Sequence, residues 1–158
     1  MKLVDELLGI VADLESAAVP YALCGGLAVA IHGHPRFTHD IDLLIQPDDL
    51  SRVRDMARTR GFTLEGGRIA FGIGTPSERE LYRISKASGA EALTLDLLLV
   101  GPSLASVWNQ RKRTTWRDHE LWVVSRDGLI HMKRLSGRLQ DLADIEAMTQ
   151  SESGSPDE

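Results

Sequence analysis

Apolar residues near the start of the chain fall at Leu3, Val4, Leu7, Leu8, Val11 and Leu14, the spacing of one helix face, and predict a helix over residues 3–18. Pro20 ends it, and the apolar run YALC (21–24) predicts a short strand. Gly25-Gly26 interrupts that run, after which LAVAIHG predicts a short helix closing at Gly33. The loop HGHPRFT leads into HDIDLLI (39–45), an extended run that Pro47 stops. Residues 48–61 carry the ends of a helix, with Asp48 or Asp49 as N-cap and Gly61 just past the last turn.

Beyond Gly61 the period shortens. FTLE, GRIAFGI and ELYRISK are strand candidates separated by glycines and by the turn TPSERE, and EALTLDLLLVG (91–101), the most apolar segment, predicts a central strand. Residues 103–112 predict a helix, and TTWRDHELWVVS a strand or a hairpin pair. A helix opening at Ser125 runs through Leu135, Gly137 breaks it, and RLQDLADIEAMTQ makes the last helix. The fold class is therefore α/β or α+β, a mixed β-sheet flanked by helices with a short C-terminal helical segment. No linker or repeat divides the chain, so residues 1–149 form one domain, and residues 150–158 are expected as a disordered acidic tail.

Composition narrows the class without naming an activity. The chain has 158 residues, enough for a core without covalent staples, and its single cysteine, Cys24, allows no internal disulfide. Four acids among the apolar residues of MKLVDELLGIVADLESA suit an amphipathic helix and not a signal peptide, and no apolar run reaches the length of a membrane span. A cytoplasmic protein with no membrane partner is the expectation. A formal charge of −5 argues against broad nucleic-acid binding, although RVRDMARTR (52–60) and NQRKRTTWR (109–117) are local basic clusters.

One contradiction in the pattern points to chemistry. In RFTHDIDLLI, Asp40 and Asp42 are two residues apart on a strand, so both project from the same face. At roughly 7 Å such charges repel by about 2–3 kcal/mol at an effective dielectric of about 20. A cation between them would remove that penalty. Asp96 likewise interrupts the apolar strand TLDLLLV, where an unpaired acid is costly to bury. If these two strands are neighbours, three carboxylates converge beside a Gly25-Gly26 turn whose missing Cβ atoms and following helix start could admit a phosphate. An acid-only cluster suits Mg²⁺ or Mn²⁺, and two such ions can activate an attacking hydroxyl and stabilise a leaving pyrophosphate. The blander readings are a plain Gly-Gly turn and a strand-end acid reaching solvent. His32, His34 and His39 lack zinc-hydrolase spacing, Cys24 reads as a small buried hydrophobe, and Trp116 and Trp122 read as packing residues.

The Gly25-Gly26 pair, a spacer of thirteen residues and the triplet Asp40-Ile41-Asp42, followed by a later single acid, resemble the signature of the nucleotidyltransferase superfamily, the DNA polymerase β-like fold. The wording RFTHDIDLLI together with LIHMKRLSGRLQDLADIEAM (129–148) is similar to the small bacterial branch that holds the nucleotidyltransferase toxins of abortive-infection toxin–antitoxin pairs. The resemblance implies an NMP transferred from an NTP to an acceptor, which could be RNA or tRNA, a protein or a small molecule. It implies Asp40, Asp42 and Asp96 as ligands of two Mg²⁺ or Mn²⁺ ions, with Asp96 also near the acceptor's proton. Gly25 and Gly26 would cradle the triphosphate, Arg36, Thr38 and Lys133 would contact phosphates, and Asp141 would orient the site. A toxin would bring an antitoxin partner. Two other readings stand beside it: an adenylyltransferase acting on a small antibiotic, and a catalytically silent binding module with the same fold. Lys133, Arg138, Asp141 and Asp144 also read as ion pairs on a helix surface.

Overall fold

Every predicted helix and strand has a counterpart in the computed structural model, which describes residues 2–35 and 37–153. In chain order these are α1 (Lys2–Ser16), β1 (Ala22–Cys24), α2 (Gly25–Ile31), β2 (Asp40–Ile45), α3 (Leu50–Thr59), β3 (Leu64–Phe71), β4 (Arg79–Ser88), β5 (Glu91–Leu99), α4 (Ala105–Asn109), β6 (Lys112–Trp116), β7 (His119–Val123), α5 (Arg126–Ser136) and α6 (Leu139–Ser153). The strands form one mixed sheet in the order β3-β4-β5-β2-β1-β7-β6. Pairs β2–β5 and β1–β7 are parallel and the others antiparallel.

Strand alternation sorts the central residues onto two faces. Ile41, Leu43 and Ile45 of β2 and Leu93, Leu95, Leu97 and Leu99 of β5 are all buried. In α1, Leu3, Leu7, Ile10, Val11 and Leu14 are buried, and the helix packs against β2 and α3. The opposite face of β2 and β5 carries Asp40, Asp42, Thr94 and Asp96. Core residues lie on both faces, Leu44 among them on this second one, where the polar residues of the central strands are also gathered.

Three expectations need correction. The two strand candidates around Gly66-Gly67 are one strand, β3, because the glycines are absorbed as a register shift between Glu65 and Gly67 and do not end it. The helix expected over 103–112 is shorter, a 3₁₀ turn (Pro102–Leu104) and then α4, with Lys112 already in β6. Helix α6 runs to Ser153, so residues 150–153 of the expected tail are helical, and 154–158 lie outside the described residues. Among the described residues no helix is long and apolar enough to cross a membrane.

The basic clusters are largely occupied by internal contacts. Arg54 and Arg58 pair with Glu65, Arg60 with Asp13, and Arg113 with Glu15 and Glu120. Arg111 lies 3.9 Å from the Trp108 ring centroid and 5.1 Å from that of Trp122. These cations knit strands to helices.

Candidate active site

Parallel pairing of β2 with β5 sets Asp42 directly beside Asp96, and Asp40 beside Thr94. Partners in a parallel ladder project to the same side, so the adjacency inferred from the carboxylate pattern is realised. Antiparallel pairing of β4 with β5 adds a residue the sequence reading missed: Arg83 stands opposite Asp96. Its Nε and Nη2 donate to Asp96 Oδ1 and Oδ2 at 2.8 and 2.9 Å, a two-pronged ion pair on a carboxylate that is only 4% exposed. Arg83 sits in the alternating run ELYRISK, but nothing in that run reveals the register that aims it at Asp96.

Asp42 has no such partner. Among the described residues its carboxylate makes no side-chain hydrogen bond or ion pair. Burial first, then the charges of Asp96 and Asp40, push its carboxyl up to about 7. Asp40 is also raised, by burial and then by Asp96, while its backbone N–H donates to Thr38 Oγ1 at 3.3 Å. Thr38 therefore fixes the start of β2 as well as lining the site.

The Gly-Gly turn has a steric reason in this geometry. Gly25 has φ +70, and a Cβ placed there would overlap the Asp42 side chain, including its Cγ at 2.6 Å. Only glycine allows the backbone this close to the carboxylate. Gly25→Ala should therefore lower stability by about 1–3 kcal/mol and displace Asp42, and paired denaturation and nucleotide-binding measurements would show both effects. Cys24, next in line, is buried, its Sγ donates to Asp42 O at 3.4 Å, and burial pushes its thiol pKa well up, as suits a packing residue. His32 contacts the Val124 carbonyl at 3.0 Å and serves the fold.

The opposite wall comes from α5 and α6. Lys133 is 5% exposed, and its Nζ lies 3.3 Å from Asp141 Oδ1 and 3.1 Å from Asp144 Oδ2. The expected surface ion pairs of this segment are thus in part a buried cluster, because Gly137 at φ +67 turns the chain and folds α6 back against α5. Lys133 lines the cavity, yet its charge is committed to two carboxylates. Arg138 Nε donates to Asp141 Oδ2 at 2.8 Å while its own side chain remains 76% exposed. Burial raises the Asp141 pKa, but the bonds from Arg138 and Ser136 and the charge of Lys133 outweigh it, leaving the carboxyl at about 2. That value lies below the unfolded 3.8, so the stabilisation is complete above pH 3.8 and is lost as pH falls toward 2. Asp141→Asn should flatten this acid limb of the unfolding midpoint.

These groups enclose a cavity of about 460 Å³ lined by Gly25, Gly26, Thr38, Asp40, Asp42 and Asp96 on one side and Lys133, Arg138 and Asp141 on another. Arg36 lies outside the described residues. Among those described, no three His, Cys, Asp or Glu side chains form a closed metal-ligand set. Arg83 engages both oxygens of the third acid, Asp96. Asp40 and Asp42 nevertheless fit a hard cation: both are oxygen donors, neither has a cation bonded to it, and Mg²⁺ characteristically takes one or two carboxylates with water and phosphate completing its shell.

Comparison with known proteins matches residues 6–82 to the model of the aminoglycoside-2''-adenylyltransferase family, a span that includes the glycine turn, Asp40 and Asp42. The lincosamide antibiotic adenylyltransferase LnuA, solved with lincomycin bound, superposes with a TM-score of 0.64 at 16% identity over 92% of this chain and 95% of that one. The chain has the fold of the nucleotidyltransferases. Two further members of that fold agree with it. ANT(2")-Ia in complex with adenylyl-2"-tobramycin gives a TM-score of 0.62 at 12% identity over 98% of this chain and 92% of its own. TM1012 of Thermotoga maritima, a protein assigned to the nucleotidyltransferases, gives 0.63 at 12% identity over 95% and 94%. Comparison with curated proteins returned no match. The fold expected from the motifs therefore stands, and the family-model match agrees with the motif resemblance, whereas the similar proteins named here do not include toxins of toxin–antitoxin pairs.

Proposed function

We propose that this nucleotidyltransferase moves AMP from ATP to a hydroxyl group of a small-molecule acceptor and releases pyrophosphate. The observation that carries the reading is Asp42: a carboxylate beside Asp96, packed against a helix start that only glycine permits, with no cation among the described residues bonded to it. Asp40 and Asp42 would hold Mg²⁺ or Mn²⁺, which when bound supplies positive charge to the triphosphate and acidity to the attacking hydroxyl. The adenylyl choice, and a small acceptor, follow from the family model and from LnuA and ANT(2")-Ia.

The chain's own residues position and neutralise. Gly25 and Gly26 line the cavity beside Asp42, where the phosphates would lie. Arg138, tied to Asp141 by one edge and otherwise exposed, presents its remaining N–H donors to them. Asp96, held still by Arg83, orients the acceptor hydroxyl. The new bond joins that oxygen to the α-phosphorus, the bond to the β-phosphate oxygen breaks, pyrophosphate leaves with the electron pair, and the hydroxyl proton passes to Asp96 or to solvent. Lys133 acts through Asp141, keeping that carboxylate in place for Arg138.

An RNA or protein acceptor with an antitoxin partner has no observation in its favour, since arginines of both basic clusters are engaged in intramolecular contacts. The test is transfer of label from α-labelled ATP, CTP, GTP and UTP in Mg²⁺, with small hydroxylated antibiotics or total RNA as acceptors. Label entering a small acceptor from ATP supports the reading. Transfer only to RNA would reject the acceptor, and failure of any NTP to bind in the presence of metal would favour the silent module.

A further inference from the structure

The face that carries the site is ordered in rows, and those rows define the chemistry of the acceptor. Across β2, β5 and β4 the row Asp42–Asp96–Arg83 is followed, two residues further along, by the row Leu44–Leu98–Leu81. Two residues beyond Leu81 comes Arg79, paired with Phe71 of β3. At about 3.3 Å per residue, each step is about 7 Å. From α5, Leu129, Met132 and Leu135 line the same cavity, as do Leu81, Leu98 and Phe71. The cavity is thus polar at the carboxylates, hydrocarbon in the next row, and cationic again at Arg79.

The charges lining this space complete the picture. Asp96 is neutralised by Arg83, and Asp141 by Lys133 and Arg138. Asp40 and Asp42 are the two acids the proposed function commits to the metal. No acid lining the cavity among the described residues remains for a positively charged acceptor. Arg79 is the reverse case. Its Nη1 and Nη2 donate to the Ser77 and Leu135 carbonyls at 3.1 and 3.3 Å, and its Cζ lies 5.0 Å from the Phe71 ring centroid, but among the described residues no carboxylate forms an ion pair with it, Asp141 acting on it only at longer range. A polycation would meet the like charge of Arg79 and a wall of leucines, losing hydration with no free carboxylate of the described lining in return.

We propose that the acceptor is a hydroxyl-bearing small molecule with a hydrocarbon body and an anionic or hydrogen-bond-accepting end, lying on Leu81, Leu98 and Met132 with that end toward Arg79, and that polycationic aminoglycosides are not its substrates. This rests on the nucleotidyl-transfer reading for the position of the reacting hydroxyl, and it departs from the acceptor in the name of the matching family.

Anilinonaphthalene sulfonate, a fused hydrocarbon with one anionic group, is a direct probe. In Mg²⁺ with α,β-methylene-ATP filling the nucleotide site, the folded protein should bind it at one site per chain with a rise in fluorescence. Arg79→Glu and Met132→Glu should each weaken that binding about tenfold or more, with near-ultraviolet circular dichroism unchanged. Arg79→Gln replaces Arg79→Glu should the latter misfold. Tobramycin should neither displace the probe nor give heat on titration. Tobramycin binding more tightly than the probe, an absence of probe binding, or probe binding indifferent to both substitutions would each overturn the proposal. Binding of a fluorescent ATP in Mg²⁺, and its dependence on Asp42, tests the nucleotidyltransferase reading separately, so the two can fail independently.

Discussion

Asp42→Asn should abolish the proposed adenylyl transfer, a loss of at least about 10³-fold, while making the metal-free protein more stable. Both halves come from one cause. The Asp42 carboxyl is held up at about 7 because its charged form is buried beside Asp96 and Asp40. Since the folded value exceeds the unfolded 3.8, the folded chain keeps a proton that the unfolded chain releases between those pH values. Stability from this group therefore falls as pH rises from 3.8 to about 7 and stays low above it. An amide cannot ionise, so the variant should lack that fall and gain on the order of 1 kcal/mol or more near neutral pH. Magnesium should stabilise the wild type by mass action and leave the variant unmoved. Unfolding midpoints at several pH values, with and without Mg²⁺, would check this, and transfer at the wild-type rate by Asp42→Asn would reject the site.

The second large effect concerns stability. Lys133→Met should destabilise the protein by about 3–5 kcal/mol, because it removes the cation buried between Asp144 and Asp141 and leaves Arg138 as the remaining cation on Asp141. Adding Asp144→Leu to Lys133→Met should recover part of that loss, since one buried charge goes with it. Urea denaturation of the single and double variants gives the comparison. A phosphate-contacting Lys133 would behave differently: KM for ATP would rise with little change in the unfolding midpoint. The geometry, with Nζ within 3.3 Å of two carboxylates, favours the structural outcome.

Parts of the site could be read before any coordinates. A pair of acids one residue apart in an otherwise apolar strand makes poor sense for stability, so Asp40 and Asp42 advertised themselves, as did Asp96 in its apolar run. Gly25 was visible as a turn. Its deeper reason, the overlap any Cβ would make with Asp42, needs the strand pairing. Arg83 and Arg79 were passed over, and Asp144 was read as a helix-surface ion pair, because charged residues on strands and helices usually pair in solvent, and local sequence holds no sign that the first two face the site or that Asp144 is buried.

Local chemistry settles where this chain forms helices and strands, since glycine and proline punctuation and the two periodicities act over a few residues. It also settles that Asp40 and Asp42 share a face, because alternation is a property of any strand. Register and partner choice lie beyond its reach. That Asp96 meets Arg83, that Leu98 lies against Leu81 beside them, and that Lys133 sits between two acids depend on pairings of segments far apart or folded back on each other. Only the packed sheet and its covering helices, through the burial they achieve together, select those pairings.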